Sequence, residues 1–331
     1  MHRQPPELNP VGTKGWLLGL DFSSAPSARK PLTLAWGRRS GAVVRLEHVD
    51  ELPTHDALVA LISPRTEGPL GAGFVMGCDF PFGLPRVFVD ALHAHGPGML
   101  PDWLSGARPL PPCPARGFSP PWDREGIGET ERLIRALHAH CGDRAGFQKL
   151  VDGWGVTWHA DRPPGSRLVH RTADLARPGM VSTSPLQTRY VPVGKMYFEG
   201  LVRLVAADVT LPGQRPGRPE AVALEAYPGW LAGEILGRRS YKSETDISEA
   251  RLIARKDLLT ALEQGRTRLG LRLKLSVAQH DALVADPKGD RLDAVLCLMQ
   301  AAWAQARAEA GDRCYGLPDG MDPVEGWILT G

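Results

Sequence analysis

The chain has 331 residues, 43% hydrophobic and 23% charged, with 39 Lys and Arg against 37 Asp and Glu for a formal net charge of +2. That length carries one large domain with insertions or two modest ones, and the near-neutral total excludes a polybasic, histone-like mode of binding while leaving room for a local basic patch. Five scattered cysteines (Cys78, Cys113, Cys141, Cys297, Cys314) show no CxxC pair, and no run reaches the ~18–20 apolar residues of a membrane span, so a cytoplasmic protein with reduced thiols and no membrane partner is expected.

Residues 1–14 read as a polar leader. Three strands are predicted next, over 16–22, 31–37 and 42–47, with Arg39-Ser40-Gly41 as a tight turn between the last two. The short connection from Ser23 to Lys30 makes the first pair a hairpin as well, so three consecutive antiparallel strands open the domain. A short helix over 54–62 follows, then a strand over 73–79 that runs into Phe80-Pro81-Phe82-Gly83-Leu84-Pro85 and a helix near 86–94.

From 96 to 193 the chain reads as an insertion or cap. Its first part, to about 122, is rich in Pro and Gly, a composition that in a loop of this length usually marks a functional segment. A helix is predicted over Glu129–Cys141, and Trp154, Trp158 and Tyr190 suggest packed chain. His93, His95, His138 and His140 read as solvent-facing. Helix 195–207 returns to the core and leads to a strand over 221–225. Helices over 229–237, 247–264 and from 289–290 to 309 follow, and residues 325–329 read as a last edge strand in a C-terminal segment 311–331.

Three apolar strands therefore end on carboxylates, at Asp21, Asp79 and Glu225, and a late helix carries Asp290 and Asp293 in its first turn, three residues apart and on one face. Clustered carboxylates repel, and a divalent cation relieves that cost. Mg²⁺ and Mn²⁺ favour such oxygen donors, and paired ions can activate a water and stabilise the leaving oxygen of a phosphodiester. Each acid also has a plain structural reading: Asp21 as a strand-end turn residue, Asp79 in an Asx turn, Glu225 as a solvated strand end, and Asp290 as a helix cap. Lys242 is either a phosphate contact or a solvated surface lysine. Arginines interleaved with aromatic residues in the insertion suit single-stranded or junction nucleic acid, and are also ordinary on a charge-balanced surface.

The opening strands ending on Asp21, the segment Cys78-Asp79-Phe80-Pro81-Phe82-Gly83-Leu84-Pro85, Glu225-Ala226-Tyr227-Pro228, Tyr241-Lys242-Ser243 and Asp290-Arg291-Leu292-Asp293-Ala294 together resemble a bacterial family of unknown function regarded as RNase H-like nucleases. The stretch from Glu225 to Ala294 is also similar to the end of RuvC-type Holliday-junction resolvases. The resemblance covers about 15–310, with the insertion 96–193 as its weakest part. It implies an α/β, RNase H-like fold: a mixed five-stranded sheet, antiparallel in its first three strands, with helices on both faces. It also implies metal-dependent hydrolysis of DNA or RNA, with Mg²⁺ or Mn²⁺ as cofactor, and brings a dimer into consideration.

Carried over by position, Asp21, Asp79, Glu225 and Asp293 are the catalytic candidates, with Asp21, Asp79, Asp290 and Asp293 as metal ligands and Lys242 as a substrate contact. Glu225 keeps a second role, orienting Lys242 or the turn. Two other classes compete. Asp21-Phe22-Ser23-Ser24 followed by Lys30 is similar to a first phosphate loop of actin-like ATPases and sugar kinases, although Phe80-Pro81 after Asp79 makes a poor second one. The third is a catalytically inactive RNase H-like scaffold that binds nucleic acid or protein.

Overall fold

A computed structural model describes residues 15–64, 68–95, 128–161 and 168–329. Its centre is a mixed seven-stranded sheet. In chain order the strands are β1 (Trp16–Asp21), β2 (Leu32–Ser40), β3 (Val43–Leu52), β4 (Phe74–Asp79), β5 (Val209–Thr210), β6 (Arg218–Glu225) and β7 (Arg272–Lys274). They lie side by side as β5-β6-β4-β1-β2-β3-β7. The pairs β1–β2 and β2–β3 are antiparallel, whereas β1–β4, β4–β6, β5–β6 and β3–β7 are parallel. Five strands were expected. The two additional ones, β5 and β7, are edge strands of two and three residues, too short to show a period-2 pattern.

Each of the central strands is buried on both faces, and its side chains divide by parity. Leu18 and Leu20 of β1, Phe74 and Met76 of β4, and Ala221 and Ala223 of β6 join one core. Leu17, Val75, Val222 and Leu224 join the other. The first core is covered by α1 (His55–Ile62), α2 (Arg86–His95), α3 (Glu129–Cys141), α4 (Arg144–Asp161) and α6 (Val193–Ala206), while the one-turn α5 (Thr172–Leu175) packs its Ala173 in a small separate cluster with Trp230 and Ile328. The second is covered by α7 (Pro228–Leu236), α8 (Glu249–Glu263), α9 (Val277–Ala285) and α10 (Asp290–Glu309). Among the described residues, no helix is long and apolar enough to cross a membrane.

Most predicted elements form within a few residues of their expected bounds, and α3 coincides with its expected span. Residues 96–127 and 162–167 of the expected insertion, with Cys113, lie outside the described residues, as do the side chains of His93, His95 and Trp158. The remainder supplies α3 and α4, which pack on α6. Several expectations need correction here. Tyr190 is not packed: it is 97% exposed, with a positive φ of 62°. Trp154 does pack, edge-on against Phe88 at 5.1 Å between ring centroids. His138 faces inward, stacked 3.7 Å from the Phe198 ring with its Nε2 2.7 Å from the Phe198 carbonyl oxygen. Its neighbour His140 is exposed, two positions on and therefore on another side of the helix.

Residues 325–329 form no strand. They cross the end of the sheet as irregular chain that still buries Ile328 and Leu329, and the Leu329 N–H donates to the Glu225 carbonyl (2.8 Å).

Candidate metal centre

β1 and β4 lie parallel and adjacent in a register that pairs Asp21 directly with Asp79. Side chains on a strand alternate, so Asp21 shares the face of Leu17 and Gly19, and Asp79 that of Val75 and Gly77. That face receives α10. The helix lies against β1, β4 and β2, and it comes unusually close. A Cβ added at Gly19 would fall 2.0 Å from the Ala294 carbonyl oxygen, and one at Gly77 would fall 2.4 Å from that of Cys297. No side chain larger than hydrogen fits at either position. The two glycines therefore let the first turn of α10 descend onto the strand ends.

That turn is built locally. Gly289 takes a left-handed conformation (φ 78°) at the N-cap, and its carbonyl accepts from the Asp293 N–H at 2.8 Å. The Asp286 carboxylate accepts from the N–H groups of Lys288 and Arg291, each at 3.1 Å. Capping thus falls to Gly289 and Asp286, and the capping reading of Asp290 is not realised.

Ligand oxygens of Asp21, Asp79 and Asp293 converge to within 4.8 Å of one another. Asp293 is buried, while Asp21 and Asp79 are half-buried at the strand ends. Among the described residues, no hydrogen bond or ion pair reaches the carboxylate of Asp21 or Asp79. Asp293 has two donors: the Tyr241 hydroxyl on Oδ1 and the Lys242 ammonium on Oδ2.

The electrostatics follow. Burial, then the charges of Asp293, Asp79 and Asp290, hold the Asp21 carboxyl well above the ordinary range, with Lys242 pulling the other way. Asp79 is pushed up to about 7 by burial and then by Asp293. Burial drives the Tyr241 hydroxyl up, and Asp293 adds to it. Lys242 is lowered by burial but raised on balance by Asp293, Asp79 and Asp21. Such a site disfavours its own negative charge and is relieved by a cation.

The structure thus brings together three of the acids picked from the sequence and leaves two aside. Asp290 is half-buried at the first position of α10 and lies outside the 4.8 Å group. It lines a groove of about 460 Å³ with Arg29, Lys288 and Arg291. It still raises the Asp21 carboxyl through space.

Glu225 stands opposite Cys78 and shares the parity of Ala221 and Ala223, so it faces the other core. There Arg171 grips it with two bonds, Nη2 to Oε1 at 2.6 Å and Nη1 to Oε2 at 2.8 Å. The Phe82 N–H donates to Oε2 at 2.8 Å. Arg171 is buried, and it also binds Asp174 and the Glu325 carbonyl. Glu225 is a structural anchor for the Phe80–Pro85 turn and does not join the acidic trio.

Lys242 joins the centre by its ion pair with Asp293 and lines a cleft of about 200 Å³ with Asp79, Tyr227 and Met196, a cleft that the Arg171–Glu225 pair also borders. Sequence reasoning missed the role of the Tyr241 hydroxyl, although Tyr241 stood beside Lys242 in the motif, and it grouped Arg171 with the insertion's nucleic-acid or surface arginines, whereas Arg171 is buried against Glu225 and Asp174. The Arg171-x-x-Asp174 spacing was a weak signal for the latter. Other arginines of the insertion also serve structure: Arg135 pairs with Glu131, Arg177 with Glu234 and Arg189 with Asp152.

No protein-family model matches the chain, and no curated protein or solved structure matches it.

Proposed function

We propose that the chain is a divalent-metal-dependent nuclease of RNase H-like fold that hydrolyses phosphodiester bonds of DNA or RNA. The observation that carries this reading is the convergence of Asp21, Asp79 and Asp293, from two strand ends and a helix start, within 4.8 Å. The order and directions of the strands lend support. Within the seven strands, β3-β2-β1-β4-β6 is a mixed set whose first three strands in the chain are antiparallel, as the resemblance implied, and whose β4 and β6 run parallel to β1.

The residues fit the ion. Two half-buried carboxylates that meet no protein donor among the described residues, beside a third that is buried, form an all-oxygen donor set suited to Mg²⁺ or Mn²⁺. Asp21, Asp79 and Asp293 would hold it. When bound, such an ion lowers the pKa of a water and polarises a phosphoryl oxygen. The chain's own groups do the remainder. Tyr241 and Lys242 fix the orientation of Asp293, and the Lys242 ammonium borders the cleft, where it can meet a phosphate oxygen. The cleft wall combines Val191, Met196 and Tyr227 with Arg171, Ser182 and Glu225.

The test is cleavage of branched, single-stranded and RNA–DNA hybrid substrates with Mg²⁺, with Mn²⁺ and with chelator. The expected result is cleavage that requires the divalent ion and falls at least about 100-fold in D21N. Cleavage that survives chelation, or D21N activity equal to wild type, contradicts the reading.

A further inference from the structure

Lys242 is held where it is by more than its own ion pair. The Tyr241 carbonyl accepts from Arg255 Nη1 (2.8 Å), and Arg255, itself buried, also ties to the Val284 carbonyl (2.8 Å). The Ser240 hydroxyl donates to the Lys242 carbonyl (2.9 Å), and the Ser243 N–H donates to the Pro287 carbonyl (2.9 Å). The lysine stem then runs along Gly289, where an added Cβ would fall 2.8 Å from the Lys242 Cβ. The backbone of 240–243 is thus fixed to α8 on one side and to the turn before α10 on the other. A long side chain that would otherwise sample many rotamers starts from a fixed base beside one carboxylate.

The ammonium meets Asp293 Oδ2, and the side chain, 45% exposed, also borders the cleft lined by Asp79, Glu225 and Tyr227. A cation that touches a ligand carboxylate on one side and the substrate space on the other has the placement a second metal ion would have. The acid supply agrees. Three carboxylates converge, Asp290 stands outside the group, and Glu225, which borders the same cleft from the other face of the sheet, is engaged by Arg171. Few oxygen ligands remain for a second ion, and a fixed positive charge already repels it.

We infer that the centre takes one divalent ion, and that the Lys242 ammonium permanently holds the place of a second cation between Asp293 and the substrate. This rests on the metal-centre reading above and specifies its stoichiometry and the role of Lys242.

The test is to count Mn²⁺ bound to the full chain by equilibrium dialysis, with free Mn²⁺ read by electron paramagnetic resonance. Wild type, K242M, K242R and D21N are compared, and circular dichroism confirms that each is folded. The expected result is one Mn²⁺ per wild-type chain, one in K242R, a second equivalent gained in K242M, and at least a 100-fold loss of affinity in D21N. Two ions per wild-type chain, or a K242M that titrates as wild type does, overturns the inference and leaves the metal centre standing. A wild-type chain that binds no Mn²⁺ overturns both.

Discussion

Glu225 and Asp79 end adjacent parallel strands one residue out of register, and the molecule treats them in opposite ways. Glu225 turns to the face that carries α6, where an arginine fork and a backbone N–H satisfy its oxygens. Asp79 turns to the face that carries α10, where it meets two more carboxylates, and among the described residues it has no donor. A single step along a strand reverses the side-chain direction, and that step separates a structural anchor from a reactive group. A buried carboxylate with a complete set of partners stabilises the fold when intact and is costly to break. Carboxylates crowded without partners weaken the empty fold and become favourable when a cation arrives.

The two acids should respond differently when neutralised. D79N should lower metal-dependent cleavage by at least about 100-fold. It should also raise the stability of the metal-free protein, because it removes a charge that Asp293 repels. Cleavage rates and urea unfolding with chelator measure the two effects, and a destabilised D79N would place Asp79 with Glu225 as an anchor. E225A should destabilise by about 3 kcal/mol, since Arg171 is left buried with Asp174 as its remaining carboxylate. Urea unfolding reads this directly, and an E225A protein of wild-type stability would break the comparison from the other side.

The contrast also has a pH signature. Asp79 has its carboxyl raised to about 7 by burial and then by Asp293, above its unfolded value near 4. In the metal-free protein, the stability tied to that proton is complete below about pH 4 and is lost as the pH rises through 7. The stability advantage of D79N over wild type should therefore widen from pH 4 to pH 8. A difference that stays flat over that range would contradict the placement of Asp79 among like charges.

The smallest effect is expected at Asp290, which acts on Asp21 only through space. D290N should change Mn²⁺ affinity by less than about 10-fold, against at least 100-fold for D21N. Equal losses in the two variants would make Asp290 a ligand.

The strands that carry Asp21 and Asp79 were legible in the sequence because their cores are unbroken apolar runs, Leu17 to Leu20 and Phe74 to Met76. Asp293 was legible through its helix, whose apolar positions repeat with the turn. What the sequence could not show was direction. Glu225 looked equivalent to Asp21 and Asp79, since each ends a strand, and only the register against Cys78 reveals that it faces the other core. Asp290 looked equivalent to Asp293 through their three-residue spacing. The positive-φ turn at Gly289 instead sets it at the rim of the neighbouring groove. Arg171 was hidden because its partner Glu225 lies 54 residues away, so no local pattern announces the pair. Gly19 and Gly77 read as strand residues, and their use emerges only when α10 is laid across them.

The most direct measurement is a crystal structure of the protein soaked in Mn²⁺, with the anomalous signal mapped. The account predicts one peak within coordination distance of Asp21, Asp79 and Asp293, with Lys242 still on Asp293 and Glu225 still on Arg171. A map without a peak among the three aspartates, or with its peak at Glu225, would contradict it.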